Sequence, residues 1–169
     1  VLSVMGGFTT DIKQHLLNLQ AHIEIISSEK GKQIPESSAL IEKVKSFSNE
    51  IVSISPYQSG DVILQVGNKG QMARLEGIEP SLAENILNIQ KFLSNGIDLS
   101  ILKRKIPAEN ILNSDLFPTV IIGHDLMISL GLNIGDSLTL VSTVPDDGPG
   151  GIAPSQFPVV IAGTINSGS

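Results

Sequence analysis

Apolar residues recur along this chain in two periods, and the switches between them divide it into elements. Leu2, Met5, Phe8, Ile12, Leu16 and Leu19 fall three or four apart, which predicts an amphipathic helix over residues 2–19. Gly6 and Gly7 lie inside that pattern and weaken the helix by about 1 kcal/mol each relative to alanine. Residues 21–26 alternate, predicting a strand with Ile23 and Ile25 inward. After a polar stretch, Leu40, Ile41, Val44 and Phe47 share one face of a second helix over 36–47, with Ser37 or Ser38 as its cap. A strand is predicted over 51–57. A hairpin of 62–66 and 71–78 follows, around Gly67-Asn68-Lys69-Gly70. Pro80 suits the first position of a third helix over 80–94, which Asn95-Gly96 would end.

The chain is organised around residues 121–140, which hold a strand, a two-turn helix and a second strand. A β-branched run, 120–122, leads into Gly123-His124-Asp125, and Leu126, Met127 and Leu130 then recur at helical spacing. Asp125 reads as the cap of a helix starting at Leu126, and Gly131 stands where a left-handed C-cap belongs. Residues 133–136 read as a tight turn, and Leu138 and Leu140 fall on one face of the next strand. A last strand is predicted over 159–165. Interspersed helices and strands with hairpins among them predict the α+β class with mixed sheets.

Composition narrows the function classes. Apolar residues make up 41% of the 169, enough to build a core, while tryptophan is absent and the formal net charge is −6. Few aromatics and a negative balance argue against nucleic acid and against docking on anionic lipid. Cysteine is absent, so thiol catalysis, disulfides and cysteine-based metal sites are excluded. No apolar run is long enough to span a bilayer, and the opening residues, without a basic start followed by a long apolar run, do not read as a signal peptide. A first residue of Val1 within an apolar pattern, and a terminal Asn166-Ser-Gly-Ser169, suggest a piece of a longer protein.

Catalytic chemistry finds little support. The glycines at 148–151 lack the lysine of a phosphate-binding loop and sit beside Asp146 and Asp147, which in turn lack the alternating ligands of a calcium loop. His15, His22 and His124 form no metal-binding spacing and read as solvated or capping residues. His124-Asp125 resembles half of a triad, without a nucleophile elbow. No catalytic residue, metal site or cofactor is therefore assigned. Lys103-Arg104-Lys105 reads as a solvated turn, and the stripe over 2–19 as either a core face or a partner-binding face.

The most unusual segment is Pro145, Asp146, Asp147, Gly148, Pro149, Gly150, Gly151, Ile152, Ala153 and Pro154. Its prolines deny it ladder pairing. It reads either as a surface hairpin or as an extended, pre-ordered loop tipped by Ile152 that grips a partner.

Several stretches resemble one family in order and spacing. Val1-Leu-Ser-Val-Met-Gly-Gly-Phe8 is similar to the segment leaving the first transmembrane helix of LolC/LolE-type permeases, subunits of the ABC transporters that extract lipoproteins from the bacterial inner membrane. Glu76-Gly-Ile-Glu-Pro80, Ile122-Gly-His-Asp-Leu126, Leu130-Gly-Leu-Asn-Ile-Gly-Asp136 and the strand from Val159 to Thr164 follow in the family's order. The resemblance covers nearly the whole chain. It implies a single periplasmic domain, residues 1–169, lying between transmembrane helices 1 and 2. The implied fold is a MacB-type periplasmic core, with a mixed α/β porter-like lobe and an inserted, mostly β lobe.

The implied function is non-catalytic: release of lipoproteins from the inner membrane and their handover to a LolA-type soluble carrier. A second permease subunit and a cytoplasmic ATPase of the LolD type would be the other partners. Carried over by position, a hook for the carrier would be Pro145 to Pro154, with Gln156 in a neighbouring pad. The chain departs from the family pattern in a loop a few residues shorter, in Phe157 where a pad arginine is expected, and in Val141 at an arginine-bearing strand position. The alternatives are a MacB-like mechanotransmission subunit for efflux or secretion with an outer-membrane partner, a small hydrolase using His124 and Asp125, and a structural adaptor.

Overall fold

In the computed structural model, the described residues are 23–27, 34, 38–84, 86, 92–112, 115–145 and 154–166. The helix expected over 2–19 and residues 146–153 of the Pro/Gly segment lie outside them. A helix, α1 (Ser38–Lys45), comes first. Strands β1 (Tyr57–Val66) and β2 (Lys69–Ile78) follow, then a single helical turn, α2 (Pro80–Ala83), and the short strand β3 (Lys105–Ile106). The remainder is β4 (Phe117–Gly123), helix α3 (His124–Leu130), β5 (Ser137–Pro145) and β6 (Pro154–Ile165). The six strands join in the order β2-β1-β5-β6-β4-β3, with β4 and β6 parallel and every other pair antiparallel. The class is α+β, as the alternation of periods predicts.

The hairpin and the unit over 121–140 form as expected. Val66 pairs with Lys69, leaving Gly67-Asn68 as a two-residue turn in which Gly67 has φ +55°. Such a positive φ is what the twist of a short hairpin requires. Gly131 has φ +72° and closes α3. Its N–H donates to the Ile128 carbonyl at 2.9 Å, and the Leu132 N–H donates to the Met127 carbonyl at 3.1 Å. These are the two bonds of a Schellman motif, and buried Leu132 and Met127 supply its apolar contact.

Other expectations are corrected. Asp125 does not cap α3: the helix begins two residues earlier than expected, at His124, its N-cap is Gly123, and no side chain caps it. Residues 23–27 form no strand, and Ile23 is 79% exposed, because no neighbouring strand pairs with them. The Tyr57 hydroxyl, at the start of β1, donates to the Glu24 carboxylate. Residues 51–56 are irregular too, and the strand starts only at Tyr57. Pro56 has no N–H to donate and restricts Ser55 before it. Phe47 lies beyond α1 and is exposed, and α1 buries none of its residues fully. Pro80 does occupy the first turn of its helix, but no continuous helix reaches Ser94. Leu93 is extended, and Ser94–Gly96 is a separate 3-10 turn.

Two apolar clusters hold the sheet from opposite sides. On one face Val62, Leu64, Leu138, Leu140, Val159 and Ile161 pack with Met127 and Leu130 of α3. On the other, Ala83, Leu93 and Leu99 pack with Ile121 and Ile165. β6 lies between them and is buried on both faces from Val159 to Ala162, which is why its sequence is a continuous apolar run rather than an alternation. Full burial of Leu99 and Ile161 is worth about 1.5–3 kcal/mol each.

Candidate functional site

The Pro/Gly segment is rooted on two adjacent antiparallel strands. β5 and β6 pair from Ser137↔Val160 to Val141↔Gln156, lose register, and pair once more at Pro145↔Pro154. Four steps along β5 are matched by two along β6, so β5 carries the excess residues of a bulge. Bulges twist a hairpin end and re-aim what lies beyond it. The described part of the predicted hook is its two roots, Pro145 and Pro154. Asp146, Asp147, Gly148, Pro149, Gly150, Gly151, Ile152 and Ala153 lie outside the described residues.

Register fixes where Gln156, Val141 and Phe157 stand. Gln156 is exposed and stands directly opposite Val141, so the two side chains share a face. Ile63 of β1 pairs with Val141, and Met72 of β2 pairs with Ile63, so one row crosses four strands as Met72, Ile63, Val141 and Gln156. Met72 is 70% exposed. Phe157 pairs with Leu140, so it points to the opposite face of the sheet from Gln156, and it is exposed. The sequence reading did not find this row. Its members come from four strands, and the signal is visible only once the pairing is known.

The start of β5 is fixed by a network far from the loop. The Gly135 N–H donates to the Ile161 carbonyl at 2.8 Å, and the Ile161 N–H donates to the Asp136 carbonyl at 2.9 Å. The Asp136 carboxylate accepts from the Asn133 N–H at 2.8 Å, closing the predicted turn. Asn110 accepts from the Ser137 N–H at 2.9 Å, so the segment between β3 and β4 anchors the start of β5.

At the far end of β2, Glu79 accepts from Ser81 Oγ at 2.8 Å and pairs with Lys103, and these bonds hold its carboxyl below the ordinary range. The Ser100 N–H, at 2.6 Å, does the same for Asp98. Lys103–Lys105 are thus not simply a solvated turn: Lys103 ends a 3-10 helix, Leu99–Lys103, and pairs with Glu79, and Lys105 begins β3.

Among the described residues no group of three or more His, Asp or Glu side chains could hold a metal ion. No helix among them is long and apolar enough to cross a membrane. A cavity of about 110 Å³ opens where the curl of the sheet brings Ala73 and Leu75 of β2 near Val120 and Ile122 of β4. Its lining is almost entirely aliphatic and offers no acid–base pair for chemistry.

No protein-family model matches the chain. It is 24% identical over 170 residues to the lipoprotein-releasing system transmembrane protein LolC of Xylella fastidiosa (strain 9a5c). It is 25% identical over 174 residues to the protein of the same name from Neisseria meningitidis serogroup B. Each match covers 99% of this chain and 37% of the relative, so the chain spans just over a third of the proteins it matches. The likeness to LolC/LolE-type permeases read from the motifs is borne out along nearly the whole chain.

Proposed function

We propose that this chain is a periplasmic domain of an inner-membrane ABC transporter permease that releases lipoproteins and passes them to a soluble LolA-type carrier. The observation that carries the reading is the match to LolC proteins over 99% of the chain. In this reading residues 1–169 lie between two transmembrane helices, with the two lobes of a MacB-type core. A second permease subunit and a LolD-type cytoplasmic ATPase complete the transporter. The domain itself performs no catalysis. ATP hydrolysis elsewhere moves it, and it holds the carrier while lipoprotein cargo is handed over.

The site assignment draws support from the roots of the loop: Pro145 and Pro154 pair at the end of β5 and β6, beyond a bulge, and the hook would be carried there. Gln156 lies two residues past the root, on a face shared with Val141 and Ile63. With Val141 at one of the family's arginine positions, the row of Met72, Ile63, Val141 and Gln156 carries no charge. Carrier binding through it therefore weakens little with added salt, since apolar contacts are not screened.

The test is a calorimetric titration of the chain with the LolA-type carrier of its own organism, beside Ile152→Asp and Gln156→Ala. Binding that Ile152→Asp abolishes and Gln156→Ala weakens is the expected result. Wild-type chain that leaves the carrier unbound at about 1 mM, a free energy of only about −4 kcal/mol, overturns the handover reading.

A further inference from the structure

β2 is an outer strand of the sheet, ten residues long, without proline and with an unbroken register against β1. Because a two-residue turn joins the hairpin and Val66 pairs with Lys69, odd-numbered β2 residues aim their N–H and C=O at β1. Even-numbered residues aim theirs outward. The open edge therefore carries the backbone groups of Met72, Arg74, Glu76 and Ile78, and among the described residues none of these meets another strand. Edges of this length are ordinarily blunted by lysine, proline, a bulge or a covering element. Here Lys69 stands at the far end, while the middle carries one cation and one anion two residues apart.

We propose that this edge pairs with the same edge of a second copy, antiparallel, about a two-fold axis at Leu75. In that register each Arg74 faces Glu76 of the other copy, and each Met72 faces Ile78. Moving the register by two residues one way sets Arg74 against Arg74, and the other way sets Glu76 against Glu76. Opposed like charges destabilise a strand pair, so the charge pattern selects one register. Arg74 and Glu76 are available for it. Their side chains are 65% and 57% exposed, and their contact within the chain is a solvated one at 4.0 Å. Arg74 also donates to Ser59 Oγ at 3.0 Å, across the hairpin. Seven residues a side make less than a standard interface, so the isolated chain associates weakly, with Kd between about 10 μM and 1 mM. The pairing does not depend on the carrier-binding reading.

Sedimentation equilibrium of the 169-residue chain up to about 1 mM tests it, and circular dichroism checks that each variant is folded. The expected result is a monomer–dimer equilibrium that Arg74→Glu and Glu76→Arg each weaken at least about tenfold. An equimolar mixture of the two variants should regain the wild-type affinity, because every opposed pair in the mixed dimer is again of opposite sign. Amides of Met72, Arg74 and Glu76 should gain protection from hydrogen exchange as the wild type is concentrated, while those of Gln71, Ala73 and Leu75 stay as they were. A wild type that remains monomeric overturns the proposal, as do variants that associate unchanged or a mixture that does not recover.

Discussion

Gly135→Ala separates two costs that a single distance would confuse. Gly135 has φ +96°, outside the small left-handed region that other residues visit. An added Cβ would also lie 2.5 Å from Cδ of Glu109 and 2.7 Å from its Oε1. The steric conflict is with the far end of an exposed, flexible side chain, and rotation relieves it for well under 1 kcal/mol. The backbone conflict has no such escape, because the Gly135 N–H and C=O are bonded to Ile161 and Glu109 on either side. Strain of this kind costs about 1–3 kcal/mol. Gly131 is the control, with φ +72° and open space where a Cβ would stand, and its alanine variant should cost about 1–2 kcal/mol. Urea denaturation followed by circular dichroism, since the chain has no tryptophan, should place Gly135→Ala at the upper end of that range or beyond, with m unchanged. The double variant Gly135→Ala/Glu109→Ala should match Gly135→Ala within about 0.5 kcal/mol. Recovery of most of the loss in the double variant would falsify the assignment to backbone strain.

Two further outcomes follow from the second apolar cluster and its rim. Thr164, almost fully buried in β6, donates through Oγ1 to Ser94 Oγ at 2.7 Å, and its N–H donates to the same atom at 3.2 Å. Thr164→Val should cost about 1 kcal/mol, and Ser94→Ala about 1–3 kcal/mol because it strips both buried donors of their acceptor; equal losses in urea denaturation would contradict this ordering. Glu79 and Asp98 titrate below their usual values of 4.5 and 3.8, so the folded state binds these protons less readily than the unfolded chain. Their stabilisation is complete above those values and is lost as pH falls through the lowered ones. Lys103→Met should therefore flatten the acid limb of a plot of stability against pH, and an unchanged limb would show that the Lys103 bond is not its source.

Sequence periodicity served best where local rules and tertiary packing agree. Gly131, the turn over 133–136 and the hairpin at Gly67 each need a backbone conformation that few residues supply, so composition alone located them. It failed where an apolar pattern had no partner to satisfy. Residues 23–26 alternate like a strand, yet a strand exists only by pairing, and nothing in a local pattern says whether a neighbour is present. Asp125 illustrates a subtler miss. An aspartate before an apolar run is a good cap signal, but Gly123 already has the extended backbone of an N-cap, and the helix starts from it two residues early. The row from Met72 to Gln156 was invisible for a different reason: it joins positions far apart in sequence that only the register of four strands brings together.

The motifs of the family likeness that fall in the described residues have structural work to do. Glu79 and Pro80 turn the chain out of β2 and tie it to Lys103; Gly123 to Leu126 make the corner into α3; Leu130 to Asp136 close that helix and stitch the next turn to β6; Val159 to Thr164 fill the centre of the sheet. Constraints of that kind account for a likeness that extends over the whole chain at 24–25% identity, and they bear on fold rather than on what the fold binds. In the proposed reading, carrier recognition rests on side chains outside these motifs, at the loop and at exposed Gln156 beside its root. Ile152 belongs to no fold-bearing motif. A loss of carrier affinity in Ile152→Asp, with stability unchanged, would therefore report on recognition alone, whereas the same loss in Gly135→Ala would have to be discounted for its effect on the start of β5.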